Sequence, residues 1–148
     1  SDAQRILRDD YQFEIGKGKI LKNGTDITIM GCGVTTSRAL HAAELLEKEG
    51  VSTRVVNMST IKPIDTEMVI KCAKETKGIV TVEDHNIFGG LGSAVAEVLV
   101  QNKPTPMEII GVNDSFGESG EPDELAEKYG IDYKAIIKGV HKLLGRVK

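Results

Sequence analysis

Two stretches of the chain carry residue types that could do chemistry. One runs Glu83-Asp84-His85-Asn86-Ile87-Phe88-Gly89-Gly90-Leu91-Gly92-Ser93. Two carboxylates beside an imidazole at a strand end suit acid–base work, because nearby negative charge raises the histidine pKa toward the working pH. They suit a metal ion poorly, because consecutive positions on a strand face opposite ways. The other stretch runs Gly31-Cys32-Gly33-Val34-Thr35-Thr36-Ser37. Unpaired amides at a helix start, together with three hydroxyls, could cradle an anion. The alternative is that the glycines permit a tight turn and that Thr35 or Thr36 caps the helix. This run is not a dinucleotide fingerprint, whose third glycine would fall at Thr36, and no Gly-Lys-Ser/Thr phosphate loop follows it. Cys32, between two glycines, could have a lowered thiol pKa or could be inert; no Cys-x-x-Cys accompanies it. His41 and His141 lie on helical stretches without a metal-ligand partner four residues on and read as structural. No residue is assigned to a metal.

The elements that must position these loops follow from periodicity. Residues 19–21 form a short candidate strand ending at Asn23-Gly24, a strong tight-turn pair of the kind that joins hairpins. Residues 26–30 read as a β-branched strand that runs directly into Gly31. Residues 37–49 place Ala39, Ala42, Ala43 and Leu46 on one helical face, and Gly50 fits the left-handed stop just past the helix end. Residues 53–58 are an apolar strand. Asp65 can cap the next helix, which carries Met68, Val69, Cys72 and Ala73 inward and ends at Gly78. Strands over 79–82 and 107–112 flank a helix over 91–100. Pro122 opens a helix that Gly130 is expected to stop, and Asp132 can cap a final one. Strand–helix–strand repeated with short links means a parallel sheet with helices on both faces. Ligands of such sheets gather at strand carboxyl ends where the strand order reverses, and both glycine loops leave such ends.

Composition removes several classes of function. The 148 residues suit one compact domain, and 40% hydrophobic with 28% charged residues is ordinary globular composition. A net charge of −3 lacks the basic excess of a nucleic-acid module. The apolar runs are too short to span a bilayer, so no membrane partner is expected, and no leader segment opens the chain. Two cysteines are too few for a disulfide framework and fit reduced thiols in the cytoplasm. Residues 1–16 are polar and aperiodic and read as a connector, with the domain proper over 17–148.

Several runs, taken in order, resemble the C-terminal domain of transketolase. They are Asp26-Ile-Thr-Ile-Met-Gly-Cys-Gly-Val-Thr-Thr36, Ala39-Leu-His-Ala-Ala-Glu-Leu-Leu46, Asn57-Met-Ser-Thr-Ile-Lys-Pro-Ile-Asp65 and Thr81-Val-Glu-Asp-His-Asn-Ile-Phe-Gly-Gly-Leu-Gly-Ser-Ala-Val95. A looser likeness reaches the beta subunit of pyruvate dehydrogenase and deoxyxylulose phosphate synthase. The resemblance implies a three-layer α/β/α fold around a five-stranded, mostly parallel sheet. In it the first short strand is antiparallel to the rest and the order is one-three-two-four-five. The strands ending at Met30 and Val82 would then be central neighbours, and the hairpin suggested by Asn23-Gly24 need not form.

The implied parent activity is transfer of a two-carbon ketol unit between sugar phosphates, with thiamine diphosphate and a divalent metal such as magnesium. The resemblance places that chemistry on other domains. The Gly-Asp-Gly motif that holds the metal diphosphate is absent here, and so is the domain whose glutamate activates the cofactor. Arg5 and Arg8 do not match the family's phosphate-holding arginine. No catalytic or cofactor-binding residue is therefore carried over, and the chain reads as a piece of a larger, homodimeric enzyme. Its partners would be the N-terminal and pyrimidine-binding domains, in the same chain or in another subunit. Gly31, Gly33, Thr35, Thr36 and Ser37 stand as a candidate anion rim. Glu83, Asp84, His85, Phe88, Gly89, Gly90 and Gly92 stand as a candidate docking loop, with Phe88 as its apolar anchor. The alternative is a free-standing small-molecule or regulatory domain that uses the shared glycine rim.

Overall fold

A computed structural model of the chain describes residues 16–84, 90–112 and 122–147. Five strands form one sheet: β1 (Gly18–Lys22), β2 (Ile27–Gly31), β3 (Thr53–Met58), β4 (Ile79–Asp84) and β5 (Met107–Val112). The helices are α1 (Val34–Lys48), α2 (Thr66–Glu75), α3 (Leu91–Asn102) and α4 (Pro122–Arg146). The strand order is β1-β3-β2-β4-β5, with β1 antiparallel to β3 and every other pairing parallel. This is the order and strand sense that the resemblance implied. The bulk of the expected connector, residues 1–15, lies outside the described residues.

Both faces of the central strands must be dry, because β2 and β3 are buried at every position. Their alternate side chains feed two cores. On one face Ile29, Val55 and Val80 meet Ala39, Ala43 and Leu46 of α1 and Ile136, Val140 and Leu143 of α4. On the other, Met30, Val56 and Ile79 meet Val69 and Cys72 of α2 and Leu91 and Val95 of α3. Each fully buried aliphatic side chain is worth about 1.5–3 kcal/mol, so the two cores together dominate stability.

Local signals set several boundaries. Gly50 takes φ +86°, and the amides of Gly50 and Val51 bond to the carbonyls of Glu47 and Leu46, the pattern that closes a helix through a left-handed residue. Asp65 caps α2 by accepting from the Met68 amide at 3.1 Å, as expected. Its second oxygen accepts from the Gly18 amide at 2.8 Å, and Thr60 Oγ1 accepts from the Gly16 amide at 2.8 Å. The run from Thr60 to Asp65, which contains a cis Lys62–Pro63 bond, thus pins the start of β1 to the β3–α2 connection.

Four boundary expectations are corrected. Asn23-Gly24 does not join a hairpin, because β1 pairs with β3 rather than with β2. Gly78 does not end α2, which closes at Thr76 two residues earlier. Gly130 does not stop a helix and Asp132 does not start one; α4 runs unbroken through both. A glycine inside a helix costs about 1 kcal/mol relative to alanine. The Ile136, Val140 and Leu143 face of α4, packed on α1 and the sheet, outweighs that cost.

Candidate functional site

β2 and β4 are hydrogen-bonded neighbours, paired from Thr28–Ile79 to Met30–Thr81. The chain leaves β2 for β3 on one side, and β4 pairs with β5 on the other, so the order reverses between β2 and β4. The first glycine loop and the described ends of the second lie at the carboxyl ends of these two strands.

The turn from β2 into α1 needs glycine twice, for different reasons. Gly33 sits at φ +62°, where a side chain is strained even though the space around it is open. Gly31 is a close approach: a Cβ there would lie 3.0 Å from Thr35 Oγ1 and from the Thr36 amide and hydroxyl.

The polar groups of this turn bond within the chain, and those of Thr35 and Thr36 turn inward. Thr35 Oγ1 accepts from the Cys32 amide at 2.9 Å, and its one proton is shared between the carbonyls of Cys32 at 3.0 Å and Val82 at 3.1 Å. Thr36 donates its hydroxyl to Asn57 Oδ1 at 2.8 Å, and the Gly33 amide reaches the same oxygen at 3.2 Å. Ser37 donates to the Val34 carbonyl at 2.8 Å. Thr35 and Thr36 are buried, and neither is the cap of α1; Gly33 holds that position without a side-chain hydrogen bond. The first turn of α1 is therefore bolted to β4 through Val82 and to β3 through Asn57, across the strand it leaves.

Asn57 escaped the sequence reading as a site residue. It is 4% exposed near the end of β3, a strand that also buries Thr53 and Arg54, so no local contrast marks it out. A buried amide on such a strand must find partners, and the free polar groups nearby were those of the glycine turn.

At the second loop, Glu83 meets the start of a helix. Its Oε2 accepts from the Gly92 amide at 2.7 Å in the first turn of α3, where a carboxylate complements the helix dipole. Gly92 permits this approach, since a Cβ would meet Glu83 Oε2 at 2.7 Å and Ile109 Cγ2 at 2.8 Å. Asp84 closes β4 half-buried, and Gly90 is the N-cap of α3. His85, Phe88 and Gly89 lie outside the described residues.

Among the described residues, the polar groups that follow are engaged within the chain rather than left open for a metal-bound diphosphate. The three hydroxyls and the Cys32, Gly33 and Thr36 amides have partners within the chain, and Glu83 is engaged by Gly92. Among the described residues no three His, Cys, Asp or Glu side chains converge.

Cys32 also departs from one of its two readings. Half-burial pushes its thiol pKa up, the opposite of an activated thiolate. A raised thiol pKa keeps the protonated form dominant at neutral pH. Alkylation of Cys32 by iodoacetamide at pH 7 is therefore expected to run slower than that of a free cysteine peptide. It should accelerate only above the ordinary thiol range. Reaction at pH 7 as fast as or faster than the peptide would contradict the burial effect.

Residues 16–136 match the family model described as transketolase, C-terminal domain. The chain is 50% identical over 142 residues to a putative transketolase C-terminal section from Methanocaldococcus jannaschii, covering 94% of this chain and 44% of that protein. It is 42% identical over 144 residues to a 6-deoxy-6-sulfo-D-fructose transketolase subunit from Clostridium sp. (strain MSTE9), covering 97% of this chain and 45% of that one. Among solved structures it is similar to a split gene transketolase described as an inactive beta4 tetramer. The TM-score is 0.81 at 45% identity, over 97% of this chain and 46% of the other. The chain thus spans just under half the length of these relatives. No helix among the described residues is long and apolar enough to cross a membrane.

Proposed function

The chain belongs to the transketolase C-terminal domain family, and from that premise we propose that it serves a transketolase as an assembly domain without catalytic groups of its own. The parent would transfer a two-carbon ketol unit between sugar phosphates in the pentose phosphate pathway, in the cytoplasm. Thiamine diphosphate and magnesium would be held by the N-terminal and pyrimidine-binding domains, which dock on this chain in a homodimeric enzyme. The observation that carries the reading is the inward commitment of the Thr35 and Thr36 hydroxyls and the Gly33 amide, which bond to Val82 and Asn57. The docking role falls to the loop of Glu83, Asp84, His85, Phe88, Gly89, Gly90 and Gly92, whose ends are drawn together by the Glu83–Gly92 bond. The similar split-gene protein is a tetramer of one subunit type, described as inactive. That supports both self-association of this chain and its silence when alone.

Calorimetric titration of this chain with thiamine diphosphate and magnesium tests the non-catalytic part. No saturable heat is expected at cofactor concentrations up to about a millimolar, where a Kd carries only about −4 kcal/mol. Saturable binding at micromolar affinity would overturn it. The rim of Gly31, Gly33, Thr35, Thr36 and Ser37 retains at most a weak anion affinity as a by-product of its helix start.

A further inference from the structure

β5 is an edge strand, so one side of its backbone faces no other strand of the sheet. The Pro106 carbonyl accepts from the Ile79 amide at 3.1 Å, and backbone polar groups alternate sides along an extended strand. The amides and carbonyls of Met107, Ile109 and Gly111 therefore point away from β4. Ile109 is 53% exposed, so this edge joins outward backbone groups to an apolar side chain, the combination that templates further strand pairing. β1, the opposite edge, carries its own protection in Lys19, Lys22 and a register shift between Ile20 and Lys22. β5 has no lysine and pairs with β4 in unbroken register. Its protection arrives from α4. Arg146, in the last turn of that helix, donates from Nη2 to the outward Met107 carbonyl at 2.7 Å. Its Nη1 lies 3.1 Å from Glu108 Oε2, and Lys142 Nζ lies 3.5 Å from the other carboxylate oxygen. The Glu108 side chain is 13% exposed, which makes it a fixed anchor. The planar guanidinium fork spans that anchor and the edge carbonyl at once. Gly139 lets α4 close on β5, since a Cβ there would meet Ile110 Cδ1 at 2.7 Å.

We propose that Arg146, held in place by Glu108, is an edge guard that keeps the outer side of β5 closed to the addition of a further strand. A strand laid along β5 needs the Met107 carbonyl as an acceptor for one of its own amides, and Arg146 already occupies it. The guanidinium also sets a cation in the path of the incoming backbone, the device that β1 achieves with its own lysines. Glu108 is the positioning residue: without it the long arginine side chain would lose the contact that aims it at the edge. The contact is thus a strap from the end of α4 across an otherwise open strand, independent of the surfaces through which the domain docks in a larger enzyme.

Amide hydrogen exchange on the 148-residue chain, followed residue by residue at about 1 and about 100 μM, tests this. The probes are the outward amides of Ile109 and Gly111, which gain partners only if a strand is added. In the wild type their exchange should be the same at both concentrations. In Arg146→Ala it should slow about tenfold or more at the higher concentration, while the buried amides of β2 stay protected and report an intact fold. Arg146→Lys keeps the charge but not the fork, and should open the edge in the same sense if the alanine variant folds poorly. Lys142→Ala removes one positive charge from the same helix and leaves the Met107 bond in place, so it should behave as the wild type. Unchanged exchange at Ile109 and Gly111 in both Arg146 variants would overturn the guard. So would a Lys142→Ala chain that opens as far as Arg146→Ala, since charge alone would then be the protection. Concentration-dependent protection of these amides in the wild type would also overturn it, because the edge would be paired despite Arg146.

Discussion

Gly24→Ala is expected to be the most damaging single methyl group that can be added to this domain. A Cβ at Gly24 would lie 2.3 Å from the Arg54 amide nitrogen and the Thr53 carbonyl carbon, and 2.7 Å from the Thr53 oxygen. All three are backbone atoms of β3, which is buried throughout, so no side chain can swing aside. Relief requires moving the β1–β2 connection off the sheet, and overpacking of this kind costs about 3 kcal/mol. For a domain of this size that lowers Tm by roughly 10 °C. Gly145→Ala is the matched control: nothing lies within 4 Å of its Cβ, in the last turn of α4. There alanine should be neutral or stabilise by up to about 1 kcal/mol through helix propensity. Thermal unfolding of the two variants checks the contrast. Equal Tm values would show that the close approach at Gly24 is not a constraint.

Asn57→Leu is expected to cost nearly as much by a different route. Leucine fills the space but removes the one oxygen that accepts from both the Gly33 amide and the Thr36 hydroxyl. Donors left unpaired cost about 1–3 kcal/mol each, and the part-buried Gly33 amide should lie at the lower end. A total of roughly 3 kcal/mol follows from the same principle. The pair can be isolated with Thr36→Val, which deletes the hydroxyl. In the double variant the two losses should fall short of their sum by about 1 kcal/mol, the coupling of groups that touch. Strict additivity in denaturant unfolding would mean that Asn57 and Thr36 do not share the bond.

What the residues disclosed and what they concealed divides along local and non-local lines. The strands at Thr53–Met58 and Met107–Val112, the left-handed stop at Gly50 and the Asp65 cap were legible because each depends on neighbours within a few positions. The likeness to a known family supplied the strand order, which periodicity alone does not contain. Gly24 and Gly130 were misread for related reasons. At Gly24 the glycine answers a strand thirty residues away rather than a turn. At Gly130 the packing further along α4 overrides a local stop signal. The polar groups of the site were the hardest to assign. Thr35, Thr36 and Glu83 have the chemistry of a ligand cradle, but their partners are Val82, Asn57 and Gly92. Nothing in the order of residues says which hydroxyl turns inward. Asn57, which organises the turn, drew no notice as a site residue because a single amide in a strand has no periodic signature.

The most direct measurement of the proposed assembly role is made on the proposed parent transketolase carrying Phe88→Asp together with His85→Ala. Sedimentation and ketol-transfer activity are read across a wide range of protein concentrations. If residues 83–92 dock this domain on its partners, the variant assembles more weakly, and its lost activity returns as concentration rises, because mass action restores the complex. Wild-type assembly with a loss of activity that is the same at every concentration would mean that the loop acts on the substrate itself, which contradicts a purely assembling domain.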